Sequence, residues 1–123
     1  MITNFEEITR DLSPDEKKLI PIIVKSMKKY TKQNQVKTKT IIDGINANRA
    51  KLKIIKKMNG ARLRKLINFI RSNGIQPIIG TSQGYFVSYQ QTDINDEIES
   101  MFQRSNSILK AANGMKVFLN AKP

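Results

Sequence analysis

The chain has 123 residues, 39% of them hydrophobic, and its 22 basic and 10 acidic side chains give a formal net charge of +12. This length suits a single domain that buries a real core. The chain contains no cysteine and no histidine, so we expect no disulfide, no thiolate or imidazole metal site, and no cofactor. The chain has no run of about 18 apolar residues, so no membrane span is predicted. Residues 2–12 lack the apolar core of a signal peptide.

The positive charge is concentrated in one segment. Residues 25–71 hold fifteen basic residues and a single acid, Asp43, whereas residues 1–24 are slightly acidic and residues 72–123 are balanced. Such a segment creates a positive potential that attracts polyanions. It lacks the exposed Trp and Phe of an interfacial helix, so the pattern argues against a membrane surface as the partner.

The N-terminal part of the chain predicts two helices. A short one over residues 1–12 is expected to cover the core. Ser13 is the stronger helix start, because Pro14 suits the first helical position and Glu16 can close a capping box. Pro21 cannot donate a backbone hydrogen bond, so a kink is expected near it.

The middle of the chain predicts a connection and a supporting helix. Residues 32–39 are polar, and Thr38 or Thr40 is the candidate N-cap of a helix that ends at Asn48. Within this helix, Gly44 weakens the helical propensity, which predicts close packing against the next helix.

Residues 49–57 depart from the three- or four-residue link of a usual helix-turn-helix. Leu52 and Ile54 alternate with lysines, and both a short edge strand and an extension of the helix fit this pattern. The lysines are expected to face solvent near phosphates; they are Lys51, Lys53, Lys56 and Lys57.

The next segment predicts an amphipathic helix capped by Asn59 and stopped by Asn73-Gly74. Its apolar stripe consists of Leu63, Leu66, Ile67 and Ile70. Its polar face carries Arg62, Arg64, Lys65, Asn68 and Arg71. Arginine can read guanine and asparagine can read adenine in the major groove. The alternative interpretation is a solvated helix whose charges only keep the protein soluble.

A hairpin is predicted directly after this helix. The β-branched or aromatic runs Ile78-Ile79 and Tyr85-Phe86-Val87 flank a short turn bracketed by Gly80 and Gly84. The turn residues can donate hydrogen bonds to phosphate oxygens; they are Thr81, Ser82 and Gln83. A basic helix followed by a hairpin is the sequence form of a winged helix-turn-helix.

The runs Leu63–Gly74, Pro77-Ile78-Ile79 and Gly84-Tyr85-Phe86 resemble small winged-helix proteins carried by bacteriophages and prophages. The resemblance covers roughly residues 58–89. It implies duplex DNA binding in a phage setting, inside the cytoplasm of a bacterial host cell.

After the hairpin, a long final helix is predicted over residues 93–114, capped by Thr92 or Asp93 and ended by Gly114. An apolar stripe follows it; its members are Ile94, Ile98, Met101, Phe102, Ile108 and Leu109, with Ser105 and Ala112 on the same line. This stripe packs either on the N-terminal helix of the same chain or on a second copy through residues 93–113, as a homodimer.

Together these features predict a mostly α fold with a small β-hairpin. The predicted domain, 1–123, has N-terminal helices in 1–31, a helix-turn-helix and wing in 38–89, and the final helix. We expect a protein that binds double-stranded DNA as a transcription regulator or replication-associated factor. The alternative is a module that binds a host or phage protein. An enzyme is not expected, because the acids are dispersed and no base stands near Tyr85 or Tyr89.

Overall fold

The computed structural model describes residues 11–120 and confirms a mostly helical fold with one small antiparallel hairpin. The chain divides into two compact units, the first ending at Ser88 and the second beginning at Tyr89. The predicted helix over residues 1–12 lies almost entirely outside the described residues. The first unit contains α1 (Pro14–Met27), α2 (Thr38–Ala47), α3 (Arg49–Leu52), α4 (Gly60–Ser72), β1 (Ile78–Thr81) and β2 (Gly84–Val87).

Helix α1 begins as the sequence predicts. The Ser13 hydroxyl accepts a hydrogen bond from the Glu16 N–H, and the Glu16 carboxylate accepts one from the Ser13 N–H. This reciprocal pair is a capping box, which satisfies two backbone donors that would otherwise lack partners. The helix continues through Pro21 to Met27 and buries Leu19 in the core.

Helix α2 starts differently from the prediction. Its N-cap is Lys37, and no side chain caps the helix, so the predicted cap by Thr38 or Thr40 is wrong. The predicted role of Gly44 is also wrong, because a Cβ built at that position would have no atom of a packed neighbouring element within 4 Å among the described residues.

Residues 49–57 form a short helix followed by irregular backbone. Helix α3 spans Arg49–Leu52 and ends at Lys53, whose φ of 57° lies in the left-handed region. The edge strand considered for this segment is therefore wrong, and the helical alternative holds only for its first turn. Ile54 is buried and anchors the irregular part to the core.

Helix α4 lies at the centre of the first unit, where it contacts α1, α2 and β1. The whole predicted apolar stripe is buried, from Leu63 to Ile70. The Asn59 side chain accepts a hydrogen bond from the Arg62 N–H over 2.9 Å, which confirms the predicted N-cap. The left-handed stop is confirmed by Gly74, whose φ is +61°.

The hairpin is longer and tighter than predicted, since the strands reach Thr81 and Gly84 and leave a two-residue turn. Val36 pairs with Tyr85 as an additional bridge, which the sequence did not predict because Val36 stands alone in a polar segment. The bridge requires a glycine at position 84. Gly84 has φ +141°, and a Cβ there would overlap the carbonyl group of Val36. Phe86 is buried while Tyr85 and Val87 are half-buried, because successive side chains of a strand point to opposite faces.

The second unit consists of helix α5 (Gln91–Met115) and a 3-10 helix (Lys116–Asn120). The N-cap of α5 is Gln90, whose side chain makes no capping hydrogen bond, so the predicted cap by Thr92 or Asp93 is wrong. The helix also passes Gly114 instead of ending there.

Candidate nucleic-acid interface

The polar face of α4 has a centre and two edges that differ in their contacts. Arg64 and Asn68 lie one helical turn apart on the polar face, between Lys65 on one side and Arg71 on the other. Both side chains are exposed, and neither has a hydrogen bond or ion pair within residues 11–120. A guanidinium, which only donates hydrogen bonds, and an amide, which both donates and accepts them, are thus presented together on one helix.

Lys65 lies at the edge that faces α1. Its ammonium group donates to the Glu16 carboxylate over 3.0 Å and to the Asp11 carbonyl over 3.2 Å. Burial of Glu16 acts to raise the pKa of its carboxyl, but hydrogen bonds from Ser13 and Lys65 outweigh it, so the pKa lies below 4.5. One carboxylate therefore caps α1 and pairs with α4, and the predicted DNA contact Lys65 is held in a structural ion pair.

Arg71 lies at the opposite edge, beneath the hairpin. Its Nε donates to the carbonyl of Ile78 over 2.8 Å. A Cβ at position 80 would come within 3.2 Å of the Arg71 guanidinium, so Gly80 leaves room for it. The Arg71 side chain thus connects β1 to α4, the candidate recognition helix. That Arg71 also contacts DNA stays a prediction.

Two polar side chains fix the segment that leads into α4. Asp15 on α1 accepts hydrogen bonds from the N–H groups of Ile55 and Lys56 over 2.8 and 3.2 Å. These backbone donors, Lys56 foremost, lower the pKa of Asp15 below 3.8. Asn46 on α2 bonds both the N–H and the carbonyl of Met58. Residues 55–58 are therefore held at both ends by hydrogen bonds, although they have no regular secondary structure.

The predicted basic residues of this segment surround the start of α4. Arg62 donates to the Lys57 carbonyl over 3.1 Å, so its side chain folds back over the loop. The Lys53 carbonyl accepts a hydrogen bond from the Lys18 ammonium. The remaining predicted lysines are exposed, and their side chains make no hydrogen bond or ion pair with residues 11–120; they are Lys51, Lys56 and Lys57.

The three predicted contact residues of the hairpin turn are all exposed, but the Thr81 hydroxyl is hydrogen-bonded within the protein. The Thr81 hydroxyl donates to the Gln35 side chain over 2.5 Å and accepts from the Gln83 N–H over 3.1 Å. Thr81 therefore shapes the turn and ties it to the segment before α2. Ser82 and Gln83 form the tip, where both side chains are exposed.

Sequence reasoning missed the three residues that hold this surface together. Asp15 and Glu16 look like ordinary acids of a helix N-terminus, and Asn46 looks like one polar residue of an amphipathic helix. Their partners lie 40, 49 and 12 residues further along the chain. No local signal in the sequence identifies contacts at those separations.

The described residues contain no group of three or more acidic side chains placed to hold a metal ion. Within the same part of the chain, no helix has both the length and the apolar character needed to cross a membrane. No protein-family model, curated protein or solved structure matches this chain.

Proposed function

We propose that the first unit is a winged helix that binds duplex DNA, with α4 as its recognition helix. The order of elements supports this proposal: a supporting helix, a recognition helix, and a hairpin joined to a strand residue ahead of the supporting helix. The observation that carries it is the division of the α4 polar face. Lys65 and Arg71 at the edges make hydrogen bonds within the protein, whereas Arg64 and Asn68 between them are exposed and make none with residues 11–120.

Arg64 and Asn68 are the proposed base-reading residues. An arginine donates two hydrogen bonds to guanine O6 and N7, and an asparagine pairs with adenine N6 and N7. Their spacing of one turn places both on the same exposed strip of α4, as a helix lying in the major groove requires. A docked helix N-terminus also directs its free N–H groups at a phosphate.

Lys56 and Lys57 are the proposed phosphate contacts beside the start of α4. Asp15 accepts hydrogen bonds from the backbone of this segment and holds it in place. Lys56 and Lys57 therefore lose little backbone conformational freedom when they bind a phosphate. Ser82 and Gln83 at the hairpin tip are the proposed wing contacts. Phosphate contacts of this kind position a protein on DNA without reading its sequence.

The proposed role is a non-enzymatic transcription regulator or replication-associated factor of a phage or prophage, acting in the cytoplasm of the host cell. Selection of bound fragments from the genome that encodes the protein would identify its site. Enriched fragments beside a promoter would favour regulation, and fragments at a replication origin would favour replication. Failure to enrich any fragment would favour the alternative, a module that binds protein.

Binding to the selected duplex should depend strongly on salt. Contacts to about six phosphates predict a roughly thousandfold loss of affinity between about 50 and 200 mM salt. Fluorescence anisotropy with labelled duplexes measures this slope directly. Absence of binding to any duplex at low salt would refute the proposed function.

Substitutions should separate base reading from phosphate contact. Arg64→Ala should weaken binding to the selected site by about 1–3 kcal/mol and leave binding to random duplex nearly unchanged. Lys56→Ala should weaken both equally. Lys17→Ala removes the same charge from the acidic N-terminal segment and serves as the control, with little effect on either duplex. Equal losses on both duplexes for Arg64→Ala would exclude it from base reading.

A further inference from the structure

Helix α5 exposes an apolar stripe along most of its length. Phe102 is 67% exposed, Ile108 69% and Leu109 57%, and Met115 at its end is 64% exposed. A contiguous apolar surface of this kind on a soluble protein marks an interaction site. A free helix gains most of its stability from packing, so a 25-residue helix with this stripe needs a partner surface.

The stripe follows the spacing of a coiled coil. Its members recur at alternating intervals of three and four residues; they are Ile98, Met101, Ser105, Ile108, Ala112 and Met115. This is the a and d pattern of two and a half heptads, which faces a second helix along one seam. Phe102 and Leu109 widen the seam on one side. The regular spacing indicates that the partner is itself a helix.

The charges of α5 are separated between its two halves. The first half carries four acids and no base; they are Asp93, Asp96, Glu97 and Glu99, of which Glu97 is buried within the single chain. The second half and the residue that follows it carry three bases and no acid; they are Arg104, Lys110 and Lys116. A second copy placed in the parallel direction would set like charges side by side. In the antiparallel direction, each acidic half lies beside a basic half.

We propose that α5 is a dimerisation helix that pairs with α5 of a second copy in antiparallel orientation. With the midpoint near Gln103, Ser105 of one copy meets Met101 of the other, and Ala112 meets Ile94. Small residues thus face large ones, which fills the seam evenly. Opposed helix dipoles favour the same orientation.

The orientation can be measured because the natural chain has no cysteine. Thr92→Cys and Asn113→Cys each place one spin label near an end of α5, on exposed residues away from the seam. In the antiparallel dimer of the full chain, two labels at position 113 are separated by roughly 30 Å along the axis, at 1.5 Å per residue. A mixture of the two labelled proteins brings position 92 of one copy beside position 113 of the other. Pulsed electron paramagnetic resonance distinguishes these distances. The reverse pattern, with short distances between identical positions, would overturn the antiparallel assignment.

Sedimentation of the full chain tests the dimer itself. Ile108→Glu places a charge in the seam and should weaken dimerisation at least tenfold, while the fold survives because Ile108 is exposed in one chain. Asn106→Glu adds the same charge outside the seam and should leave dimerisation within about twofold. A wild-type protein that stays monomeric up to about 100 μM would overturn the proposal, as would equal effects of the two substitutions. Neither assay contains DNA, so the outcome is independent of the function proposed for the first unit.

Discussion

Asn46 offers the sharpest test of how the recognition helix is positioned. Its side-chain amide accepts a hydrogen bond from the Met58 N–H over 2.7 Å and donates one to the Met58 carbonyl over 3.1 Å. Met58 is only 4% exposed, so Asn46→Ala leaves two buried backbone groups without partners. Each such group costs about 1–3 kcal/mol. Because Asn46 is half-buried and water can enter part of the gap, we expect the free energy of unfolding of the first unit to fall by about 2–4 kcal/mol.

Native-state hydrogen exchange measures this loss in the first unit alone. The amide protons of Leu66 and Ile70 report its opening, because both residues are fully buried in α4. Asn48→Ala is the matched control. The Asn48 side chain also donates to a backbone carbonyl, that of Gly44 over 2.7 Å, but at an exposed position where water replaces it. We expect a loss below about 1 kcal/mol for the control. Equal losses for the two substitutions would refute the argument from burial.

Two further predictions concern acid stability and the wing. Because folding lowers the pKa of Glu16, its stabilising contribution is present at neutral pH and is lost as the pH falls through 4.5 and then through the folded pKa. Urea titrations at several pH values should therefore show a decline that is shallower in Glu16→Gln; an unchanged slope would contradict it. Gly84→Ala should lower the melting temperature, because its φ is +141° and the added Cβ would meet Val36. Gly44→Ala, inside a helix with open space around it, should instead stabilise by about 0.5–1 kcal/mol. A Gly84→Ala protein that melts like the wild type would show that the close approach is not required.

The accuracy of the sequence predictions depended on how far apart the interacting residues lie. The capping box of Ser13 and Glu16, the N-cap at Asn59 and the stop at Gly74 were all predicted correctly. Each involves groups within three or four residues, so local stereochemistry determines it. The predicted caps at Thr38 and Thr92 are wrong, because the helices start one and two residues earlier, at Lys37 and Gln90, and no side chain caps either start.

The sequence by itself also determined the apolar stripe of α4, since helical periodicity identifies a buried face without reference to any partner. It also determined the concentration of positive charge in residues 25–71, which is counted directly along the chain. Which basic side chains have hydrogen-bond partners within the protein was decided by the tertiary structure. Lys65 meets a carboxylate 49 residues earlier, and Arg71 meets the carbonyl of a strand that folds back over it. Helical periodicity places both cations on a polar face. Only the packing of α1 and the hairpin against α4 shows that these two cations are engaged and that Arg64 and Asn68 are exposed. The reason is that ion pairs join residues that are close in space, which need not be close along the chain.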